Sequence, residues 1–219
     1  MFTPLRLCTR IQTEILSVPD LPNRKQHEEE LTAAIVLFFS RQTPLLLSGG
    51  PLLTGPYDGV TNALYSTAME SGGGLAGQYG VSIEAVSPQA KQWAMGYAGA
   101  LTKEITETTE SMREAYVGPV TAGVVSGWMA TLTMRAEMIG ITETTRAATV
   151  GEDIGRQVIR EWTGKILTST WYTELDERVC DICGPLHGTG PEVYGEVSTD
   201  GPPAHPRCRC WLEYEYEGL

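Results

Sequence analysis

The chain has 219 residues, a formal net charge of −11 and a pI of about 4.7. That length supports one large or two small domains with a real core, and 42% hydrophobic with 20% charged residues is the balance of an ordinary soluble globular protein. The acidity argues against a chain built to hold phosphate backbones, an affinity that comes from Lys and Arg displacing counterions; residues 166–219 carry three Arg, no Lys and ten Asp or Glu.

The N-terminus, MFTPLRLCTR, has neither the apolar core nor the small-residue cleavage site of a secretory leader. Residues 1–25 hold three prolines and little periodicity, and read as an arm. HEEELTAAIVLFFSR (27–41) starts acidic and ends in Arg, a polarity that suits a helix dipole. Its apolar core, residues 31–39, is well short of the ~20 residues a membrane span needs. Residues 42–57 read as a loop and 58–70 as a short helix. SGGGLAGQYG (71–80) reads as a hinge or boundary. Taken together, residues 1–80 are expected to form an N-terminal arm and helices of unassigned role.

The next region, 81–164, is helical. Ser87 is a good N-cap and Pro88 fits the first helical position. From there Ala94, Tyr97, Ala98, Leu101, Ile105, Met112 and Tyr116 recur at helical spacing, which predicts a helix over about 88–116. A second helix is predicted over about 122–139, striped by Val125, Trp128, Met129, Leu132, Ala136 and Ile139. Gly140 is expected to interrupt it. A third, about 142–163, carries Ala147, Val150, Ile154, Val158 and Trp162 and stops at Gly164. Stripes of this kind are core signals.

After Gly164 the composition changes. KILTSTWYTEL (165–175) alternates and is rich in β-branched and aromatic residues, so it reads as a strand, and CWLEYEYEGL (210–219) reads as a half-exposed final strand. The expected fold class is therefore α+β: a predominantly helical N-terminal and central region followed by a small β-rich C-terminal module, 165–219, that needs a staple.

The chemistry for a staple is present. Cys180 and Cys183 form a C-x2-C turn. After 21 intervening residues come His205, Cys208 and Cys210 in an H-x2-C-x-C pattern. Two such clusters brought together by a hairpin supply a tetrahedral ion, and the ligand softness points to Zn²⁺. The preferred set is Cys180, Cys183, His205 and Cys208, with Cys210 as the alternative fourth ligand. In a reducing cytosol clustered cysteines are more often metal ligands than disulfides, and no βαβ unit accompanies the C-x2-C pair to make it a redox motif. A full protein ligand set describes a structural zinc, not a catalytic one with an open position. Asp176 reads as an Arg partner, Asp181 as a turn residue, His187 as a loop side chain and Cys8 as an inert thiol. A zinc-dependent DNA-binding or nuclease module is the alternative, with Arg207 and Arg209 as phosphate contacts. A metallo-hydrolase using Asp176 or His187 as base is a third reading.

TELDERVCDICGPLHG (173–188) followed by PPAHPRCRC (202–210) resembles the signature of the Mu F-like phage minor head proteins, the head-morphogenesis family. Thr173, Asp176, Arg178, Cys180, Cys183, Leu186, Gly188, Pro203, His205, Pro206, Cys208 and Arg209 fall on its pattern. Upstream, MRAEMIGITETTRA (134–147) is similar to the family's lead segment, with Thr142-Glu143 at its Thr-Glu pair, so the resemblance spans about residues 88–212. His187 departs from the family's usual Asp, and Ile141 from a common Arg. The position of Cys210 often holds another residue in the family, which favours Cys208 as the ligand. The resemblance implies a non-enzymatic minor capsid protein of a tailed bacteriophage. It would associate with the portal protein or the major capsid protein in the virion, be assembled in the host cytoplasm, and have no membrane partner.

Overall fold

The computed structural model describes residues 21 and 23–216; Cys8 and most of the arm expected over 1–25 lie outside them, while Arg24 and Lys25, expected in the arm, already belong to the first helix. Four long helices dominate: α1 (Arg24–Ser48), α2 (Asp58–Gln78), α3 (Ser87–Ala115) and α4 (Ala122–Thr163). A two-stranded antiparallel sheet follows, β1 (Leu167–Tyr172) with β2 (Trp211–Tyr216), in the register Leu167↔Tyr216 to Tyr172↔Trp211. Between the strands lie one 3-10 turn, one four-residue helix, α5 (Pro191–Tyr194), and turns. The protein is thus mostly helical, with a C-terminal part less rich in strand than its composition predicts.

Several expectations need correction. Helix α1 does not stop at Arg41; it continues through Pro44 to Ser48. The final turns bury Leu46 against Leu52 and Val125, and that burial offsets the missing proline hydrogen bond. By length and composition α1 is long and apolar enough to cross a membrane. Here its buried stripe of Leu31, Ile35, Phe38, Phe39 and Leu46 lies inside the protein's own core clusters. Two polar residues share that buried face with partners of their own. Gln42 accepts from the Leu53 N–H (2.8 Å) and donates to the Leu53 carbonyl (3.2 Å). His27 Nε2 meets Glu70 Oε2 at 2.7 Å.

The glycine run is no hinge. Helix α2 continues through Ser71–Gly77, and Gly72 and Gly73 are buried. A Cβ on Gly72 would stand 2.7 Å from the Gly151 carbonyl carbon, and one on Gly155 would stand 2.6 Å from the Gly72 oxygen. These glycines let α2 and α4 cross with their backbones in contact. Gly140 acts the same way within α4, which runs unbroken where two helices were predicted. A side chain at Gly140 would meet Thr32 and, at 3.1 Å, the Glu28 carbonyl of α1. The helix keeps its hydrogen bonds through Gly140, and the absent Cβ serves the α1 crossing.

Helix α3 begins one residue earlier than predicted, so Ser87 is inside it and bonds the Tyr65 hydroxyl (2.8 Å) in place of capping. Ala94, Ala98, Leu101 and Ile105 are buried as expected, whereas Tyr116 lies beyond the helix end and is exposed. At the end of α4 the buried face passes from Val158 to Ile159, which leaves Trp162 68% exposed.

One core cluster joins helices and sheet. It contains Ala68, Leu75, Ala76, Ile154, Val158 and Ile159 together with Trp171, Cys183, Leu186, Cys208, Cys210 and Leu212. A second cluster fills the α1–α4 bundle. The third and smallest closes its far end, where Leu46, Leu52 and Val125 meet Leu45, Val120, Trp128 and Met129. Residues 42–57 and 115–134, which contribute to that end, contain no Asp, Glu, Lys, Arg or His, although Arg113 donates to the Gly50 carbonyl there (2.9 Å) and Arg41 lies over the Tyr57 ring.

Candidate metal centre

The segment 179–188 leaves β1 in a series of tight turns. Cys180 and Cys183 stand on one of them: the Gly184 N–H donates to the Cys180 carbonyl (3.0 Å) and the Cys183 N–H to the Cys180 sulfur (3.3 Å). The second half arrives just before β2, which pairs with β1 and so carries residues 205–210 back to the first turn. His205 Nε2 lies 3.0 Å from Cys180 Sγ and 3.1 Å from Cys183 Sγ, while Nδ1 is 2.7 Å from the Pro206 carbonyl. A hydrogen bond from Nδ1 to that carbonyl would leave Nε2 as the free lone pair, the tautomer a metal requires.

Cys183 and Cys208 sulfurs are 3.8 Å apart. That equals the edge of a tetrahedron with metal–sulfur bonds of ~2.3 Å. Two groups of three donors result, each with its ligand atoms within 4.8 Å of one another: Cys180, Cys183, His205, and Cys183, Cys208, Cys210. Cys183 belongs to both. Cys183, Cys208 and Cys210 are buried, and Cys180 is partly exposed. The four described cysteines are free thiols. Soft sulfur and imidazole donors gathered at a buried core fit a metal ion, with Cys180 and His205 in one group, Cys208 and Cys210 in the other and Cys183 common to both.

The thiols do not share charge equally. Burial opposes the Cys180 thiolate, but N–H groups of Cys183 and Ile182, the Cys183 thiol and His205 outweigh it and lower its pKa. Hydrogen bonding with Cys183 lowers Cys208, and the same contact raises Cys183. A metal would displace the proton that the Cys183 and Cys208 sulfurs share.

The other singled-out residues lie around this centre. Asp176 holds Arg209 through two hydrogen bonds, at 2.7 and 3.0 Å, and bonds the Arg178 N–H at 3.0 Å. The Arg209 bonds hold its carboxyl down to about 2, assisted by Arg178. Arg209 is thereby an ion-pair partner, as the sequence indicated. His187 is outside both donor groups; its Nδ1 accepts from the Thr173 N–H (3.3 Å) and its ring meets Tyr172 edge-on. Asp181 is exposed on its turn. Sequence reasoning missed the helical residues that reach the centre. Thr142 accepts from the Arg207 N–H at 2.9 Å, Thr145 donates to the Cys208 carbonyl at 2.8 Å, and Arg24 donates to the Cys210 carbonyl at 3.3 Å. The Thr142-Glu143 pair was the only pointer to them.

Glu143 faces the other way. It is almost fully buried and accepts from the Tyr97 hydroxyl (2.7 Å) and Arg146 (2.9 Å), which ties α3 to α4. Burial and the Glu143 carboxylate push the Tyr97 hydroxyl well above its ordinary range.

The model of the family described as phage Mu protein F like protein matches residues 94–213. That span covers more than half of the chain, from the first third of α3 into β2, and includes both donor groups. The chain belongs to the phage Mu protein F-like family. No curated protein and no solved structure matches it. Within this Mu F-like protein, the matched region contains Thr142, Glu143, the four cysteines of the centre and His205, so the α4 contacts and the donor groups belong to one family unit.

Proposed function

We propose that this Mu F-like phage head protein is a non-enzymatic assembly component. It holds one structural Zn²⁺ on Cys180, Cys183, His205 and Cys208, with Cys210 as the alternative fourth ligand, and it docks onto the portal protein or the major capsid protein. When bound, the ion links the two halves of the 173–210 segment and contributes directly to folding. Asp176 is occupied by two arginines and Arg209 by Asp176, an arrangement that favours a closed clip over a hydrolytic or nucleic-acid site.

The observation that supports docking is the end of the bundle to which residues 42–57 and 115–134 contribute, bordered by Arg41 and Arg113. On a chain of net charge −11, residues 42–57 and 115–134 carry no charge at all. They nevertheless expose Leu47 (45%), Leu53 (40%) and Val117 (97%). Apolar side chains exposed at one end of an otherwise acidic chain are what a contact surface needs. Along α1 it lies roughly 30 Å from the metal centre, at 1.5 Å per residue, so a partner seated there leaves the clip clear. The test is co-purification of His-tagged chain with the portal protein, and separately the major capsid protein, of the same phage. Wild type should retain one of them, and Leu53→Asp/Val117→Asp should lose it without a change in helical circular dichroism. A wild type that retains neither would remove the docking reading; a double variant that binds normally would remove this surface. The zinc is tested separately by elemental analysis of the reduced protein, where metal-free material would refute it.

A further inference from the structure

The segment that brings the second half of the donors, residues 205–210, has little backbone support of its own. Within it the only main-chain bond among the described residues runs from the Cys208 N–H to the His205 carbonyl (3.2 Å). Arg207 adopts φ 60°, a left-handed conformation that non-glycine residues seldom take unaided. The Cys208 and Cys210 side chains are nonetheless buried to 1% exposure, so their carbonyls and N–H groups need partners from elsewhere.

Those partners are three side chains of the helical body. The Thr142 hydroxyl accepts from the Arg207 N–H and passes its own proton to the Met138 carbonyl of α4. The Thr145 hydroxyl donates to the Cys208 carbonyl (2.8 Å), with Ile141 a more distant second acceptor (3.3 Å). The Arg24 guanidinium of α1 donates one N–H to Thr145 Oγ1 (3.2 Å) and another to the Cys210 carbonyl (3.3 Å). Thr142 and Thr145 are three apart and therefore on the same face of α4. Each grips the main chain at or beside a sulfur donor.

We infer that Thr142, Thr145 and Arg24 are positioning residues for the bound metal: they fix the backbone from which Cys208 and Cys210 present their sulfurs, and so set how tightly the ion is held. None of the three supplies a ligand atom. The inference rests on the zinc reading above and adds the residues that govern its affinity. Groups that orient metal ligands typically change affinity by about 10–100-fold when removed. Loss of one backbone grip is expected at the lower end, about tenfold.

The experiment uses the full-length zinc-loaded protein and measures zinc transfer to a chromogenic chelator, as an affinity by competition and as a release rate. Thr145→Val keeps the shape and removes the hydroxyl; it should weaken binding about tenfold and speed release. Thr145→Ser restores the hydroxyl and should return both to wild type. Thr133→Val, on an exposed residue of the same helix whose hydroxyl bonds only the Met129 carbonyl, should change neither. Should Thr145→Val fail to fold by circular dichroism, Thr142→Val and Thr142→Ser, at a less buried position, carry the same comparison. Valine variants that hold zinc like wild type, or serine variants that behave like the valines, would overturn the inference while leaving the zinc itself intact. A wild type without zinc would overturn both.

Discussion

Replacing Gly151 by Ala tests the helix crossing on which the metal centre is built. Alanine is the better helix former by about 0.8–1.0 kcal/mol, so an unobstructed Gly→Ala change in α4 should stabilise. Gly127 is such a position: an added Cβ meets nothing within 4 Å. At Gly151 the added Cβ would stand 2.7 Å from the Ala68 Cα and 2.8 Å from the Ala68 carbonyl carbon. Both are main-chain atoms of α2, and no rotamer change can move them aside. Overpacking of this kind costs about 1–3 kcal/mol. Because the obstacle is backbone, the upper part of that range applies, and the net loss after the propensity gain is about 1–2 kcal/mol. For a chain of this length each kcal/mol moves Tm by roughly 2–4 °C. Thermal melts followed by circular dichroism should therefore show Gly127→Ala raised by about 2–4 °C and Gly151→Ala lowered by about 2–8 °C. A Gly151→Ala protein that gains stability like Gly127→Ala would refute the close crossing of α2 and α4.

Among the sulfur donors, Cys183→Ser should abolish zinc binding, since Cys183 belongs to both donor groups; Cys210→Ser should keep about one zinc per chain and Cys208→Ser should lose it, and elemental analysis of these last two variants distinguishes Cys208 from Cys210 as the fourth ligand. Asp176→Asn should destabilise at neutral pH. The Asp176 carboxyl is held down to about 2, below its ordinary 3.8. Its contribution is thus fully present above the unfolded-state value and is lost as pH falls from about 4 toward 2. The Tm difference between wild type and Asp176→Asn should be constant above about pH 5, shrink as pH falls through about 2 and vanish only below it; a difference that persists at about pH 1 would contradict the ion pair as its source.

What could be read from the sequence was whatever depends on local order. Two short Cys/His clusters have few uses, and their spacing alone places both at one centre. The α3 stripe from Ala94 to Ile105 is a periodic signal that the fold obeys. The misreadings share one cause. A glycine means freedom when nothing lies beside it and close contact when another backbone does, and the choice at Gly72 was made by Gly151, in a different helix. Gly140 was read as a break for the same reason, although its neighbour is Thr32 of α1. Pro44 looked like a stop because the burial of Leu46 beyond it depends on Leu52 and Val125. Arg24 gave no signal at all: its partner, the Cys210 carbonyl, is 186 residues away.

The same non-local contacts change how the proposed zinc clip should be regarded. From composition, 165–219 looked like a small module of its own, held by a staple. The side chains argue otherwise. Trp171, Cys183 and Leu212 share a cluster with Ala68, Leu75, Ile154 and Val158, so the ligand turn is packed on the surface where α2 and α4 cross. Arg24 and Thr145 then join both long helices to the carbonyls beside Cys208 and Cys210. A metal that holds 180–183 against 205–208 therefore also pins the first turn of α1 to the middle of α4. Its free energy is distributed over the whole crossing, and a melt of the metal-free protein should lose helix and sheet signals together, not in sequence.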